Sequence, residues 1–120
     1  MSETPRPTLY HNPRCSKSRA ALALLRERDI EPEIVEYLKT PPDTDTLRAI
    51  LERLGLGPRE LLRTGEAEYR DLGLKDADLD DEALIRTMVE HPKLIERPIL
   101  VRGDAARIGR PPEQILEILP

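Results

Sequence analysis

Thr8-Leu9-Tyr10-His11-Asn12-Pro13-Arg14-Cys15-Ser16-Lys17-Ser18-Arg19, running on into Ala20-Ala21-Leu22-Ala23-Leu24-Leu25, changes character twice. Thr8 to Tyr10 is a strand-like run, and Asn12-Pro13 is a turn signal that ends it. From Ser16 to about Arg28 strong helix formers dominate. The helix carries apolar residues on so many faces that it is expected to lie largely buried against a sheet. Ile34 to Tyr37 reads as a second strand, so the chain opens as a strand-helix-strand unit.

Working outward, the middle of the chain is helical. After Pro41-Pro42, Leu47, Ile50, Leu51 and Leu54 recur at helical spacing, with Asp43 or Thr44 as cap and Gly55 as stop. A short helix is expected from Pro58 to near Gly65. Another starts at Asp80 or Asp81, turns Leu84, Ile85, Met88 and Val89 inward, and stops before Pro92. Arg48 and Arg86 are expected on exposed helix faces. Sheet returns with Ile99-Leu100-Val101 and Ala105 to Ile108, joined by Arg102-Gly103-Asp104 as a hairpin turn. Pro111-Pro112 opens a closing helix. This order predicts an α/β fold, a thioredoxin-like mixed four-stranded sheet. Residues 1–120 form one domain, and about 43–91 are a helical insertion.

Composition narrows the function. The length of 120 residues supports one modest core, and without Phe or Trp that core is aliphatic. Scarce aromatic platforms and a net charge of −4 argue against a nucleic-acid or anionic-membrane partner. The first seven residues are polar and contain two prolines, which fits neither a leader nor an anchor. A single cysteine cannot close an internal disulfide, so a cytoplasmic, reducing location is expected. The two histidines and scattered carboxylates form no metal-ligand pattern, and no metal is expected.

Cys15 is the leading candidate for chemistry. An ordinary buried cysteine is a small inert hydrophobe. Cys15, however, follows a strand and a proline turn at a helix start, where free N–H groups and the helix dipole favour the thiolate. A free thiol titrates near 8.5 and is only a few per cent ionised at pH 7. Arg14, Lys17 and Arg19 add nearby positive charge, and Ser18 stands where a C-x-x-C pair would place its second thiol. His11 reads equally as a base or thiolate partner and as a strand-end histidine bonded to backbone. His91, before Pro92, reads as a structural charge partner or cap at a helix C-terminus. Arg97-Pro98 precedes the third strand: in a thioredoxin-like sheet a cis proline faces the thiol here, while an edge-strand trans proline fits the bare sequence as well.

The run Tyr10 to Arg19 resembles the N-terminal signature of the glutaredoxin-coupled arsenate reductases. The likeness continues through Tyr37-Leu38-Lys39-Thr40-Pro41-Pro42, Glu60-Leu61-Leu62-Arg63, His91 to Ile99, and Gly109-Arg110-Pro111-Pro112-Glu113. The resemblance implies reduction of arsenate to arsenite through a covalent adduct on Cys15, with His11 tuning the thiol. It implies that Arg63, Arg97 and Arg110 hold the oxyanion, a task suited to guanidinium forks. Asn12, Pro13, Ser18 and Pro98 would frame the site. It further implies no bound cofactor, glutathione as co-substrate, glutaredoxin as partner and a monomer. Ser16-Lys17 stand where plasmid-type enzymes have small neutral residues, and the chain ends at Pro120, both as in chromosomal-type members.

Competing functions are separable. A cysteine phosphatase needs Arg six residues after its nucleophile, where this chain has Ala21. A monothiol glutaredoxin shares Cys-x-x-Ser but lacks a helical insertion of this kind. The Spx-type regulators share the fold and bind RNA polymerase, but their switch needs a Cys at the position of Ser18. A glutathione-linked thiol oxidoreductase with another substrate is the remaining alternative.

Overall fold

The computed structural model of the chain describes residues 6–119, which fall into two compact units. One comprises the segment through Thr40 and the segment from Arg97 onward; the other is Pro41–Glu96.

The first unit is built on strands β1 (Thr8–Tyr10), β2 (Glu33–Val35), β3 (Ile99–Arg102) and β4 (Ala105–Ile108) in the order β2-β1-β3-β4. β1 pairs parallel with β2 and antiparallel with β3, and β3 and β4 form the expected hairpin. Helix α1 (Ser16–Glu27) makes the crossover between the parallel strands. Leu9 and Leu100 are register partners on one sheet face. They pack with Ala21 and Leu25 of α1 and with Ile115 and Ile118 of a closing 3-10 helix, Pro112–Ile118. Truncating Leu9, which is fully buried, to Ala is expected to cost roughly 2–5 kcal/mol, the range for such core sites.

Three local expectations change here. β2 stops at Val35, and Tyr37 sits in a turn in which Lys39 and Thr40 N–H both donate to Glu36 O. The last rung is His11 N–H to Val35 O (2.9 Å), after which β1 has turned away and offers nothing to pair with. α1 buries a single stripe, Ser18, Ala21 and Leu25, and leaves Ala23 exposed. The closing helix is 3-10 rather than α; side chains three apart eclipse in that geometry, which stacks Ile115 and Ile118 on the core side.

The second unit holds α2 (Thr44–Leu54), α3 (Pro58–Leu61), α4 (Ala67–Asp71) and α5 (Asp81–Glu90). Asp43 and Asp80 cap α2 and α5 by accepting from Thr46 N (2.7 Å) and Ala83 N (2.8 Å), and Gly55 closes α2 at φ +71°. Leu47, Ile50, Leu51, Leu84, Ile85 and Met88 supply much of its buried apolar surface. Arg48 is no free surface residue, because it bridges Asp45 (2.7 Å) and Glu82 (2.9 Å). α3 ends at Leu61, well short of Gly65, since the chain turns extended at Leu62, which pairs with Ile95. Arg63 N donates to Leu94 O (2.8 Å) and Glu96 N to Leu61 O (2.9 Å). This pairing keeps residues 92–96 with the helical unit, which is thus wider than 43–91. α4 and a 3-10 turn at Pro92–Leu94 are additional elements. No helix among the described residues is long and apolar enough to cross a membrane.

Candidate active site

Cys15 is the N-cap of α1, with extended backbone (φ −92°, ψ 124°) and partial exposure. Three hydrogen bonds hold the loop before it. Cys15 N donates to Asn12 O (2.9 Å), Arg14 N to Asn12 Oδ1 (3.0 Å), and Asn12 N to Ser18 Oγ (3.3 Å). Asn12 therefore supplies both acceptors of the turn that Pro13 initiates. Ser18 is fully buried one turn into α1 and ties the loop back to the helix. Its hydroxyl is a fastener for the thiol loop, a role invisible in the spacing alone.

Burial pushes the Cys15 thiol up, but the N–H of Ser18, the guanidinium of Arg97 and the N–H of Lys17 together outweigh it and hold the thiol below its ordinary value. The two N–H donors are those of the helix start. Of the cations flanking Cys15 in the sequence, the Arg14, Lys17 and Arg19 side chains are exposed, and Arg19 Nη1 donates to Pro13 O (3.0 Å). The cationic contribution comes from Arg97, remote in sequence, as the resemblance implies. Arg110 Nη2 approaches Cys15 Sγ at 3.9 Å, and Arg110 Nε donates to Arg97 O at 2.8 Å.

Pro98 sits just ahead of β3 after a cis Arg97–Pro98 bond, as the fold expectation requires, and is buried. A second cis bond, Arg110–Pro111, has no counterpart in the sequence reading. Gly109 lies between the two arginine segments, and its N–H donates to Pro98 O (2.8 Å). A Cβ on Gly109 would lie 2.8 Å from Pro98 Cγ and 3.3 Å from Ile115 Cγ2, so only glycine fits against the proline. Position 109 is the site-framing residue that sequence reasoning missed; the glycine beside Arg110 was its only signal.

His11 is buried, with no hydrogen-bond partner for Nδ1. Burial is the main cause that lowers its pKa; Glu36 opposes the shift, and Arg26 and Arg19 add to it. Its main-chain N–H, not its ring, makes the strand-end bond to Val35 O. Arg63 belongs to the helical unit, where its Nε lies 3.3 Å from Glu66 Oε1 and its Nη1 3.2 Å from Glu96 Oε1. Glu66 is a local partner three residues on, whereas Glu96 is brought in by the pairing of the Arg63 segment with residues 94–96. His91 is the C-cap of α5, donating its N–H to Thr87 O (2.9 Å). No group of three or more His, Cys, Asp or Glu side chains among the described residues could hold a metal ion.

A thiol-bearing helix start facing a cis-proline strand end on a β2-β1-β3-β4 sheet defines a thioredoxin-like thiol protein. Within that class the chain belongs to the ArsC family, whose model matches residues 10–118. It is 58% identical over 112 residues to the Escherichia coli (strain K12) protein YfgD, covering 92% of this chain and 94% of that protein. It is 48% identical over 116 residues to a Neisseria meningitidis serogroup A protein named arsenate reductase, covering 96% and 99%. A solved structure titled arsenate reductase from Vibrio cholerae superposes with a TM-score of 0.93 at 49% identity, covering 98% of this chain and 100% of that one.

Proposed function

We propose that the protein reduces arsenate to arsenite, with Cys15 as nucleophile and glutathione and glutaredoxin as electron donors. One observation carries this reading: the Cys15 sulfur lies at a helix start with the Arg97 and Arg110 guanidinium groups against it. Groups that stabilise a thiolate also suit a phosphate-like dianion, and neutralising that dianion lets a thiolate approach it. The ArsC family and the relatives named arsenate reductase support the substrate. In this reading Arg97, Arg110 and, from the helical unit, Arg63 hold the oxyanion. His11, kept neutral by burial, tunes the thiol. Asn12, Pro13, Ser18 and Pro98 keep the sulfur in place, and the protein works as a cytoplasmic monomer without a metal, nucleic acid or membrane.

The steps balance with two outside thiols. The Cys15 thiolate displaces one arsenate oxygen as water and forms an S–As(V) bond. Glutathione displaces a second oxygen as water, giving Cys15–S–As–S–glutathione. A glutaredoxin thiolate then attacks the glutathione sulfur. The mixed disulfide forms, the electron pair of the broken S–As bond stays on arsenic, and As(III) results. Water cleaves the remaining S–As bond, releasing arsenite and the Cys15 thiolate.

The test is NADPH oxidation coupled to arsenate through glutathione, glutathione reductase and glutaredoxin. Cys15→Ser should abolish it. Arg63→Ala, Arg97→Ala and Arg110→Ala should each lose about ten- to over a hundredfold, from charge-assisted bonds of roughly 1.5–3 kcal/mol. Exposed Arg86→Ala should not. Equal losses at Arg86 and at the three would refute the assignment.

A further inference from the structure

Beside the thiol loop lies a cavity of about 270 Å³ lined by His11, Asn12, Pro13, Arg14, Glu36, Leu38 and Lys39. Cys15 is not in the lining. His11 and Asn12 are its buried members, Pro13 and Leu38 give it exposed apolar surface, and Arg14, Lys39 and Glu36 are its three charged groups. The volume is near the lower end for small-molecule sites, where a handful of polar groups orients a ligand on an otherwise apolar wall. A five-atom oxyanion would leave most of it unfilled.

We propose that this cavity is the subsite for the reducing thiol, a zwitterionic dicarboxylate of glutathione's kind, with Arg14 and Lys39 taking its carboxylates and Glu36 its ammonium. The proposal rests on the reading of Cys15 as a thiol-dependent catalyst and adds where the second thiol docks.

Charge pattern and reach carry the inference. Two cations and one anion in one small cavity match a ligand with two carboxylates and one ammonium, whereas a simple oxyanion leaves Glu36 opposed to it. Lys39 and Glu36 are a loose pair at 3.7 Å, with side chains 79% and 41% exposed, so a ligand can engage both without breaking a strong contact. The turn that ends β2 at Val35 creates the arrangement, because it folds Glu36, Leu38 and Lys39 toward the loop carrying His11 to Arg14. Arg14 immediately precedes Cys15, so their Cα atoms are about 3.8 Å apart. A tripeptide spans roughly 10 Å at most, with its thiol in the middle. The cavity borders the loop that carries the sulfur.

The test uses oxidised glutathione and no arsenate. In thiol–disulfide exchange the Cys15 thiolate attacks one sulfur of the disulfide, forms the Cys15–glutathione disulfide, and expels the other glutathione as thiolate. The rate is followed by mass spectrometry and compared with exchange on bis(2-hydroxyethyl) disulfide, which has no charged groups. The wild-type protein should favour oxidised glutathione. The double variant Arg14→Gln, Lys39→Gln should lower the ratio of the oxidised-glutathione rate to the neutral-disulfide rate about tenfold or more. Equal slowing on both disulfides, no slowing on either, or no wild-type preference would overturn the subsite. Because arsenate is absent, a failed arsenate assay beside a successful exchange result would reject the substrate and keep the subsite.

Discussion

The donors that favour the Cys15 thiolate come from two distances along the chain. Ser18 and Lys17 N–H groups are a turn away, whereas Arg97 arrives from the end of the helical insertion. Alkylation of the protein by iodoacetamide against pH should have its midpoint below about 8.5, the free-thiol value. Arg97→Ala removes a group that favours the thiolate and should raise that midpoint; a wild-type midpoint at or above 8.5 would contradict the assignment. His11 titrates in the opposite charge sense. Its folded-state pKa is lowered, so below about 6.5 the unfolded chain takes up a proton that the folded chain refuses. Stability should therefore decline as pH falls from 6.5 toward the folded value. His11→Asn should flatten that slope in chemical denaturation at pH 5 and pH 7. An unchanged slope would mean that His11 does not reside neutral in the fold.

At the scale of elements, the thiol loop and the strand end opposite it are fixed by different means. Hydrogen bonds from Asn12 and to Ser18 set the first, and close packing sets the second. The clash of a Cβ at position 109 is with a ring carbon of buried Pro98 and a methyl group of core Ile115, neither of which can swing away. Gly109→Ala should cost about 1–3 kcal/mol, the usual range for overpacking, and lower the melting temperature by several degrees. Because Arg110 is the next residue, arsenate KM should rise as well. A variant with wild-type melting and kinetics would show that Pro98 gives way.

At the scale of the whole molecule, electron count governs. Reducing As(V) to As(III) takes two electrons, one disulfide supplies them, and the chain has one cysteine. Ser18 cannot resolve the intermediate, and its hydroxyl is occupied in holding Asn12. Omitting glutathione should therefore abolish turnover, and trapped enzyme should carry a glutathione adduct on Cys15. Thioredoxin should not replace glutaredoxin, because it acts on protein disulfides that this chain cannot form alone. Full activity with thioredoxin and no adduct would reject the two-thiol sequence.

Signals that act within a turn or two of the chain are legible in the residues. Strand Thr8–Tyr10, the start of α1 at Ser16, the caps Asp43 and Asp80, the stop at Gly55 and the Gly103 hairpin all depend on immediate neighbours. The ionisable position of Cys15 belongs with them, because a helix start is a local event. Arg97 and Arg110 beside the sulfur are legible only by resemblance, as is the role proposed for Arg63, since fifteen arginines give no local reason to choose these three. Long-range packing settled the rest. It ended β2 at Val35, drew the chain after α3 into pairing with residues 94–96, and placed Glu96 beside Arg63. It also seated Gly109 on Pro98 and brought Arg110 to a sulfur 95 residues earlier in the chain. Such contacts depend on register and on which segments end up as neighbours, and those emerge only when the sheet has formed.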